Sequence, residues 1–358
     1  MTGSRADRLA GLLERRGLHA IVVTNLPNVR YLSGFTGTNG LCLVGGGELR
    51  TFLTDFRYVE RAEREVKGFD RARGKQDLLH DAAERLAAAR AARVGFEDQA
   101  LTVRQHARLR DALANGAELV PAGDLVEELR AVKDGGELAA IRAAAEAVTG
   151  IYEHLRDTGF GGRTEREVAR DLEREMRLRG TEPSFPPIVA AGPNGALPHA
   201  TPGDDPIPAG ALVVVDMGCM VDGYCSDCTR TLASGTISEE AAAVYTLVHD
   251  AQAAARAAVT AGANCRAVDA VARDAIAAAG HGDGFGHGLG HGVGLEVHEA
   301  PRLSPAAEGE LRGRSVVTVE PGVYVAGAYG VRIEDLVVVE EEGCEVLTGF
   351  PKALLEIA

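Results

Sequence analysis

The sequence predicts an α/β protein in two domains. Its 358 residues exceed the roughly 100–200 of a typical single domain. Helix-period and strand-type segments alternate along the chain. The helix-forming run LVEELRAV (125–132) is followed by Asp134-Gly135-Gly136, a strong breaker. The crossing therefore lies within 120–137 and is drawn at 125/126, giving an N-terminal α/β domain over 1–125 and a C-terminal domain over 126–358.

The elements follow in order. An amphipathic helix near 5–17 leads to the apolar strand HAIVVT (19–24) and a turn-rich segment. LCLVGGG (41–47) and LRTFLTD (49–55) read as strands, 57–67 as a helix, and the Ala/Arg/Leu stretch 77–92 as a longer one. RVGFEDQALT (93–102) is a strand entering a helix over 102–114. Beyond the crossing, helices are expected over 137–156 and 164–179, the second opened by a Thr164/Glu167 capping box. Two more are expected over 238–261, capped by Ser238, and over 266–279, stopped by Gly280. The apolar runs ALVVVD (211–216), VVTVE (316–320) and VRIEDLVVV (331–339) supply strands between and after them.

Composition removes several classes of function. The 38 basic and 52 acidic residues leave a net charge of −14, which argues against nucleic acid as the main partner. No apolar stretch approaches the roughly 18–20 residues of a membrane span, and the N-terminus reads as an amphipathic helix rather than a signal peptide. Cys225 and Cys228 form a CxxC, but no second pair accompanies it, and residues three apart on a strand face opposite ways. Buried free thiols in a reducing cytoplasm account better for all six cysteines.

Five residues point to a metal site. Asp216 ends ALVVVD, and Asp227 lies beyond an Asp222-Gly223 turn. His291 sits within GHGLGHGVG (286–294), Glu320 ends VVTVE before Pro321-Gly322, and Glu334 interrupts VRIEDLVVV. Four carboxylates and one imidazole put too much negative charge in apolar surroundings unless cations bind there. Oxygen-rich ligation with one nitrogen suits manganese, cobalt or zinc, and four carboxylates suit two divalent ions rather than one. If Asp222-Gly223 is a two-residue hairpin turn, Asp216 falls opposite Thr229 and Gly218 opposite Asp227, so the two aspartates are diagonal neighbours on one sheet face. By the same period of two, Arg332 shares a face with Glu334. The glycines over 282–294 rule out a stable helix and let backbone approach a bound substrate closely. No GxxxxGK[ST] accompanies them, so a phosphate cradle is excluded.

The runs DMGCMVDGYCSDCTRT (216–231), GHGLGHGVGLEVHE (286–299), VEPGVY (319–324) and GVRIED (330–335) resemble the aminopeptidase P/prolidase family of dinuclear metallopeptidases. The resemblance extends through FPPIVAAGPNGALPHATP (185–202) to YLSGFTGTNG (31–40) and TDFRYVER (54–61), so it covers nearly the whole chain. It implies a creatinase-like N-terminal α/β domain followed by a pita-bread catalytic domain. The five residues above occupy the family's ligand positions in order.

The resemblance also implies a function: hydrolysis of Xaa-Pro peptide bonds by a hydroxide bridging two divalent ions, manganese being the first expectation. It implies that Glu320 accepts the water proton and that His199 and His298 assist at the oxyanion or the leaving nitrogen. His287 would shape the substrate pocket and Tyr224 would lie near the substrate amine. Arg332 would fix Glu334 or shape the pocket. Arg302 would hold the terminal carboxylate of a dipeptide, which favours an Xaa-Pro dipeptidase over an Xaa-Pro aminopeptidase acting on longer peptides. The partners expected are short proline-containing peptides and a second copy of the chain. A non-catalytic peptide-binding protein on the same fold ranks below both, because no ligand position is lost. Creatine amidinohydrolysis would not need the ligands, and a methionine aminopeptidase would not explain the N-terminal domain.

Overall fold

Ala20–Val23 (β1) is buried at every residue and lies inside the first sheet. The computed structural model describes residues 3–75, 77–113 and 116–357. The chain divides into two units, Met1–Arg130 and Ala131–Ala358.

In the first unit β1 is joined by β2 (Gly40–Gly45), β3 (Arg50–Thr54), β4 (Asp70–Arg73), β5 (Arg93–Phe96) and β6 (Glu118–Pro121) in the order β4-β3-β2-β1-β5-β6. β1 runs antiparallel to β2 and parallel to β5. The helices are α1 (Arg5–Arg15), α2 (Leu26–Ser33), α3 (Val59–Glu65), α4 (Leu78–Ala88), α5 (Val103–Ala112) and α6 (Leu125–Arg130). Helix α1 buries Ala6, Leu9 and Leu13, one stripe at helical spacing, behind a Ser4/Asp7 capping box. The expected end of α5 at residue 114 lies outside the described residues.

Two features of this unit differ from expectation. Helix α2 occupies the segment read as turn-rich; Pro27 in its first turn and Gly34 at φ 84° after its end are ordinary start and stop signals. Helix α6 belongs to the first unit, so the division falls after Arg130 and not at 125. Leu125 and Val126 are buried, and the Arg130 guanidinium donates to Asn28 Oδ1 at 2.7 Å.

The second unit begins with α7 (Gly135–Thr158). The expected breaker is this helix's start: the Asp134 side chain accepts from Glu137 N, and the two glycines form the first turn. α8 (Glu165–Leu178), α9 (Glu239–Ala257) and α10 (Cys265–Ala278) follow the predicted caps at Thr164 and Ser238. The strands are β7 (Glu182–Pro183), β8 (Ile188–Ala191), β9 (Ala211–Met217), β10 (Cys219–Val221), β11 (Tyr224–Cys225), β12 (Cys228–Ser234), β13 (Gly290–Gly292), β14 (Glu299–Leu303), β15 (Val316–Val319), β16 (Gly322–Val325), β17 (Tyr329–Arg332), β18 (Asp335–Val339) and β19 (Cys344–Val346).

Each helix pair covers one sheet. Ile151, Leu155, Val168 and Leu172 of α7 and α8 pack with Val189, Val213 and Val215 on the β12-β9-β8 sheet. Val244, Val248, Val268 and Ile276 of α9 and α10 pack with Val317, Val319 and Val337 on the β14-β13-β15-β18-β19 sheet. No helix among the described residues is long and apolar enough to cross a membrane. None of the six cysteines forms a disulfide, and five of them are buried.

Candidate metal centre

Asp222 and Gly223 both take positive φ, 47° and 74°, as a type I′ hairpin turn requires. That turn sets the register: Val221 pairs with Tyr224, and Asp216 pairs with Thr229. Asp227 falls in the break between β11 and β12. His291 is the middle residue of β13, between β14 and β15. Its glycine neighbours let the adjoining strands pack closely. A Cβ on Gly290 would lie 2.0 Å from Thr318 O, and one on Gly292 would lie 2.2 Å from Ala300 O. Glu320 follows β15 directly, its N–H donating to Leu289 O at 2.8 Å. Glu334 lies between β17 and β18, and its N–H donates to Thr229 O at 3.1 Å.

These strand ends bring the five residues to one cavity of about 560 Å³. Ligand atoms of Asp227, His291 and Glu334 lie within 4.8 Å of one another. His291 Nε2 is 3.2 Å from Glu320 Oε1 and 3.7 Å from Asp227 Oδ2. Its Nδ1 is 3.1 Å from the Gly292 carbonyl, which can only accept. Nδ1 is thereby the nitrogen that donates to backbone, and Nε2 is the nitrogen turned to the carboxylates, donating to Glu320 and able to give its lone pair to a cation once that proton is lost.

The electrostatics describe a site short of positive charge. Burial pushes the Asp227 and Glu334 carboxyls well above the ordinary range, and neighbouring carboxylates push the same way. Burial also raises Asp216, against the pull of Arg332. Glu320 moves oppositely, to about 2: burial opposes the shift, but the hydrogen bond and charge of His291 outweigh it. His291 is raised in turn, burial being outweighed by its bond to Glu320. Asp216 Oδ1 and Glu334 Oε1 are buried without a hydrogen-bond partner. Orphaned carboxylate oxygens beside an imidazole nitrogen are the donor set that divalent cations fit.

The partners around the cluster differ from the expected ones. Arg332 does not pair with Glu334. Its Nη2 donates to Asp216 Oδ2 at 2.7 Å, its Nη1 to Tyr324 Oη at 2.8 Å, and its Nε to Thr229 Oγ1 at 3.1 Å. The strand ends after Arg332, so the alternation that would place it beside Glu334 does not continue. Glu334 Oε2 accepts instead from Thr229 Oγ1 at 2.8 Å. Behind the cluster, Arg230 and Asp335 form a buried pair at 3.1 Å, joined by Lys352 and by Gln252 at 3.0 Å.

His199, His287, His298, Arg302 and Arg332 line the same cavity, whereas Tyr224 does not. The Tyr224 hydroxyl is directed to Glu137 Oε1 on α7, 3.1 Å away. The His298 ring meets His291 edge-on at 4.4 Å between centroids, and burial lowers its pKa. His287 has both nitrogens engaged, Nδ1 at 2.8 Å from Gly288 O and Nε2 at 3.1 Å from Tyr324 Oη, and burial lowers its pKa too. Arg302 is the cross-strand partner of His291. His199 is exposed on the loop after β8. Sequence reasoning missed Thr229, Tyr324 and the apolar wall of Phe185, Ile188 and Val297. Thr229 alone had a signal, its place opposite Asp216 in the hairpin register.

The pattern "Metallopeptidase family M24" matches residues 138–341, and "Creatinase/Prolidase N-terminal domain" matches residues 5–132. An uncharacterized peptidase of Bacillus subtilis, YqhT, is 40% identical over 98% of this chain and 99% of its own. A solved Xaa-Pro dipeptidase from Bacillus anthracis is 37% identical, covers 98% of this chain and 99% of its own, and has a TM-score of 0.95. A solved X-Pro aminopeptidase from Thermotoga maritima is 34% identical, covers 99% of this chain and 100% of its own, and has a TM-score of 0.88.

Proposed function

The chain belongs to metallopeptidase family M24, and from that premise we propose that it is an Xaa-Pro dipeptidase, cleaving the bond before proline. Asp216, Asp227, His291, Glu320 and Glu334 would hold two divalent ions, manganese before cobalt or zinc. The observation that carries the dipeptidase reading is Arg302, opposite His291 on the neighbouring strand and on the wall of the same cavity. Cross-strand partners are side by side. A cation there suits the terminal carboxylate of a substrate whose scissile bond lies at the metal centre.

When bound, the two cations supply a Lewis acid and a water acidic enough to ionise near neutral pH. Glu320, held ionised beside His291, accepts the proton of the attacking water. His298 and His199 donate to the developing oxyanion or to the leaving nitrogen. His287 is held by Gly288 and Tyr324 and forms a fixed wall of the pocket rather than a mobile donor. Proline's ring and missing N–H exclude it from sites that bind extended backbone, and a compact pocket beside His287 and His298 suits it. The same reading includes a homodimer, from the family resemblance, and a reducing cytoplasmic setting, supported by cysteines that form no disulfide.

The likeness to the Thermotoga maritima enzyme favours a second reading, an Xaa-Pro aminopeptidase. Metal-stripped protein reloaded separately with manganese, cobalt or zinc and assayed on Ala-Pro and Ala-Pro-Ala decides between them. Faster turnover of Ala-Pro is expected. A preference for the tripeptide would replace the first reading by the second, and turnover of neither with any metal would overturn both.

A further inference from the structure

The loop between β8 and β9 carries His199 at an exposed position, and a loop with only solvent beneath it could not hold an imidazole to the accuracy that catalysis needs. One buried carboxylate fastens it. Glu165 is the first residue of α8 and is only 6% exposed. Its Oε1 accepts from Ala191 N at 2.6 Å, at the start of the loop. Its Oε2 accepts from Asn194 Nδ2 at 2.7 Å and from Gly203 N at 2.7 Å. Asn194 Nδ2 also reaches Thr201 O at 3.2 Å, and Arg166 N donates to Gly203 O at 3.0 Å. Ala191 and Asn194 before His199 and Gly203 after it are thus tied to a single side chain. The helix N-terminus favours the negative charge that makes these bonds strong. From the cavity side, Arg332 Nη1 donates to Pro198 O at 3.2 Å, one residue before His199.

We propose that Glu165 is the positioning residue of the His199 loop: it touches no reacting atom and acts on turnover only through His199. The inference rests on the role given to His199 above. Glutamine is the informative replacement, because it keeps the volume but turns an amide donor toward N–H groups that need an acceptor.

The test is a double-mutant cycle on the metal-loaded enzyme with Ala-Pro, with metal content measured by elemental analysis and amide exchange followed across 191–203. Glu165→Gln should lower kcat on the order of ten- to a hundredfold, leave metal content unchanged and speed exchange in the loop. In the His199→Ala background the same change should cost no more than about twofold, because effects that pass through one residue do not add. Equal fold losses in the two backgrounds would overturn the inference while leaving His199 in its role. A wild-type rate in His199→Ala would overturn both. Should Glu165→Gln fail to fold, Asn194→Ala removes one of the three ties to Glu165, together with the Thr201 bond, and should show a smaller loss with the same non-additivity; additive losses there would also overturn the inference.

Discussion

Thr229→Val is the substitution that most directly questions the metal centre. Thr229 is fully buried, and valine matches its shape, so no cavity forms and the change isolates the hydroxyl. That hydroxyl donates to Glu334 Oε2 at 2.8 Å and accepts from Arg332 Nε at 3.1 Å. It orients one carboxylate of the cluster and accepts one hydrogen bond from the guanidinium that orients another, Asp216. Two buried polar groups, the Glu334 carboxyl and the Arg332 guanidinium, lose a partner, each at roughly 1–3 kcal/mol. Metal-free protein should therefore lose about 2–6 kcal/mol in denaturant unfolding. Glu334 should also become free to rotate, and the loss of a partner that orients a metal ligand typically costs about 10- to 100-fold in metal affinity. Titration of stripped protein with manganese or cobalt, followed by calorimetry, measures this without any activity assay. Turnover should return toward the wild-type rate as metal is raised, because the reacting groups remain. Wild-type metal affinity alongside the lost stability would refute the reasoning: Glu334 would then be a structural carboxylate bonded to Thr229 and not a ligand.

Other substitutions separate the remaining roles. Asp227→Asn and Glu334→Gln should each bind less metal and abolish turnover without unfolding the chain, since the change removes ligand charge and not packing; full activity with normal metal content would refute the assignment. His199→Ala should lower kcat by about 10²-fold with metal content near normal, and a loss of metal with an unchanged rate per metal would make His199 a ligand. Arg302→Ala should lower kcat/KM for Ala-Pro at least about tenfold, the scale of one charge-assisted hydrogen bond. It should lower Ala-Pro-Ala much less; equal losses would remove the reason for preferring the dipeptide.

The sequence disclosed the residues whose chemistry no local partner can satisfy. A carboxylate at the end of ALVVV or VVTV is anomalous by itself, and four carboxylates with one imidazole imply a shared cation before any geometry is known. The hairpin turn was legible for a similar reason, because positive φ at both Asp222 and Gly223 restricts which residues can stand there. The helix starts at Thr164 and Ser238 are local capping signals, whereas the one at Asp134 is masked by two glycines that read as a breaker. What stayed hidden were ordinary polar residues whose meaning lies in a distant partner. Thr229 and Glu334 are 105 positions apart, and Arg332 reaches 116 positions back to Asp216. The period of two puts Arg332 on the face of Glu334 only if one strand is continuous, whereas the chain leaves β17 at Arg332 and enters a different sheet at Asp335. Tyr224 failed the same way: its hydroxyl is taken by Glu137, 87 positions earlier, and nothing beside Tyr224 signals that. Glu165 is the extreme case. At a helix start, beside the Thr164 and Glu167 capping box, it reads as one more first-turn acid. Only the return of the chain at Ala191, Asn194 and Gly203 gives that carboxylate three donors and a second task. Ligands announce themselves by the charge they leave unbalanced; the residues that aim them are balanced already, so only the fold distinguishes them from their neighbours.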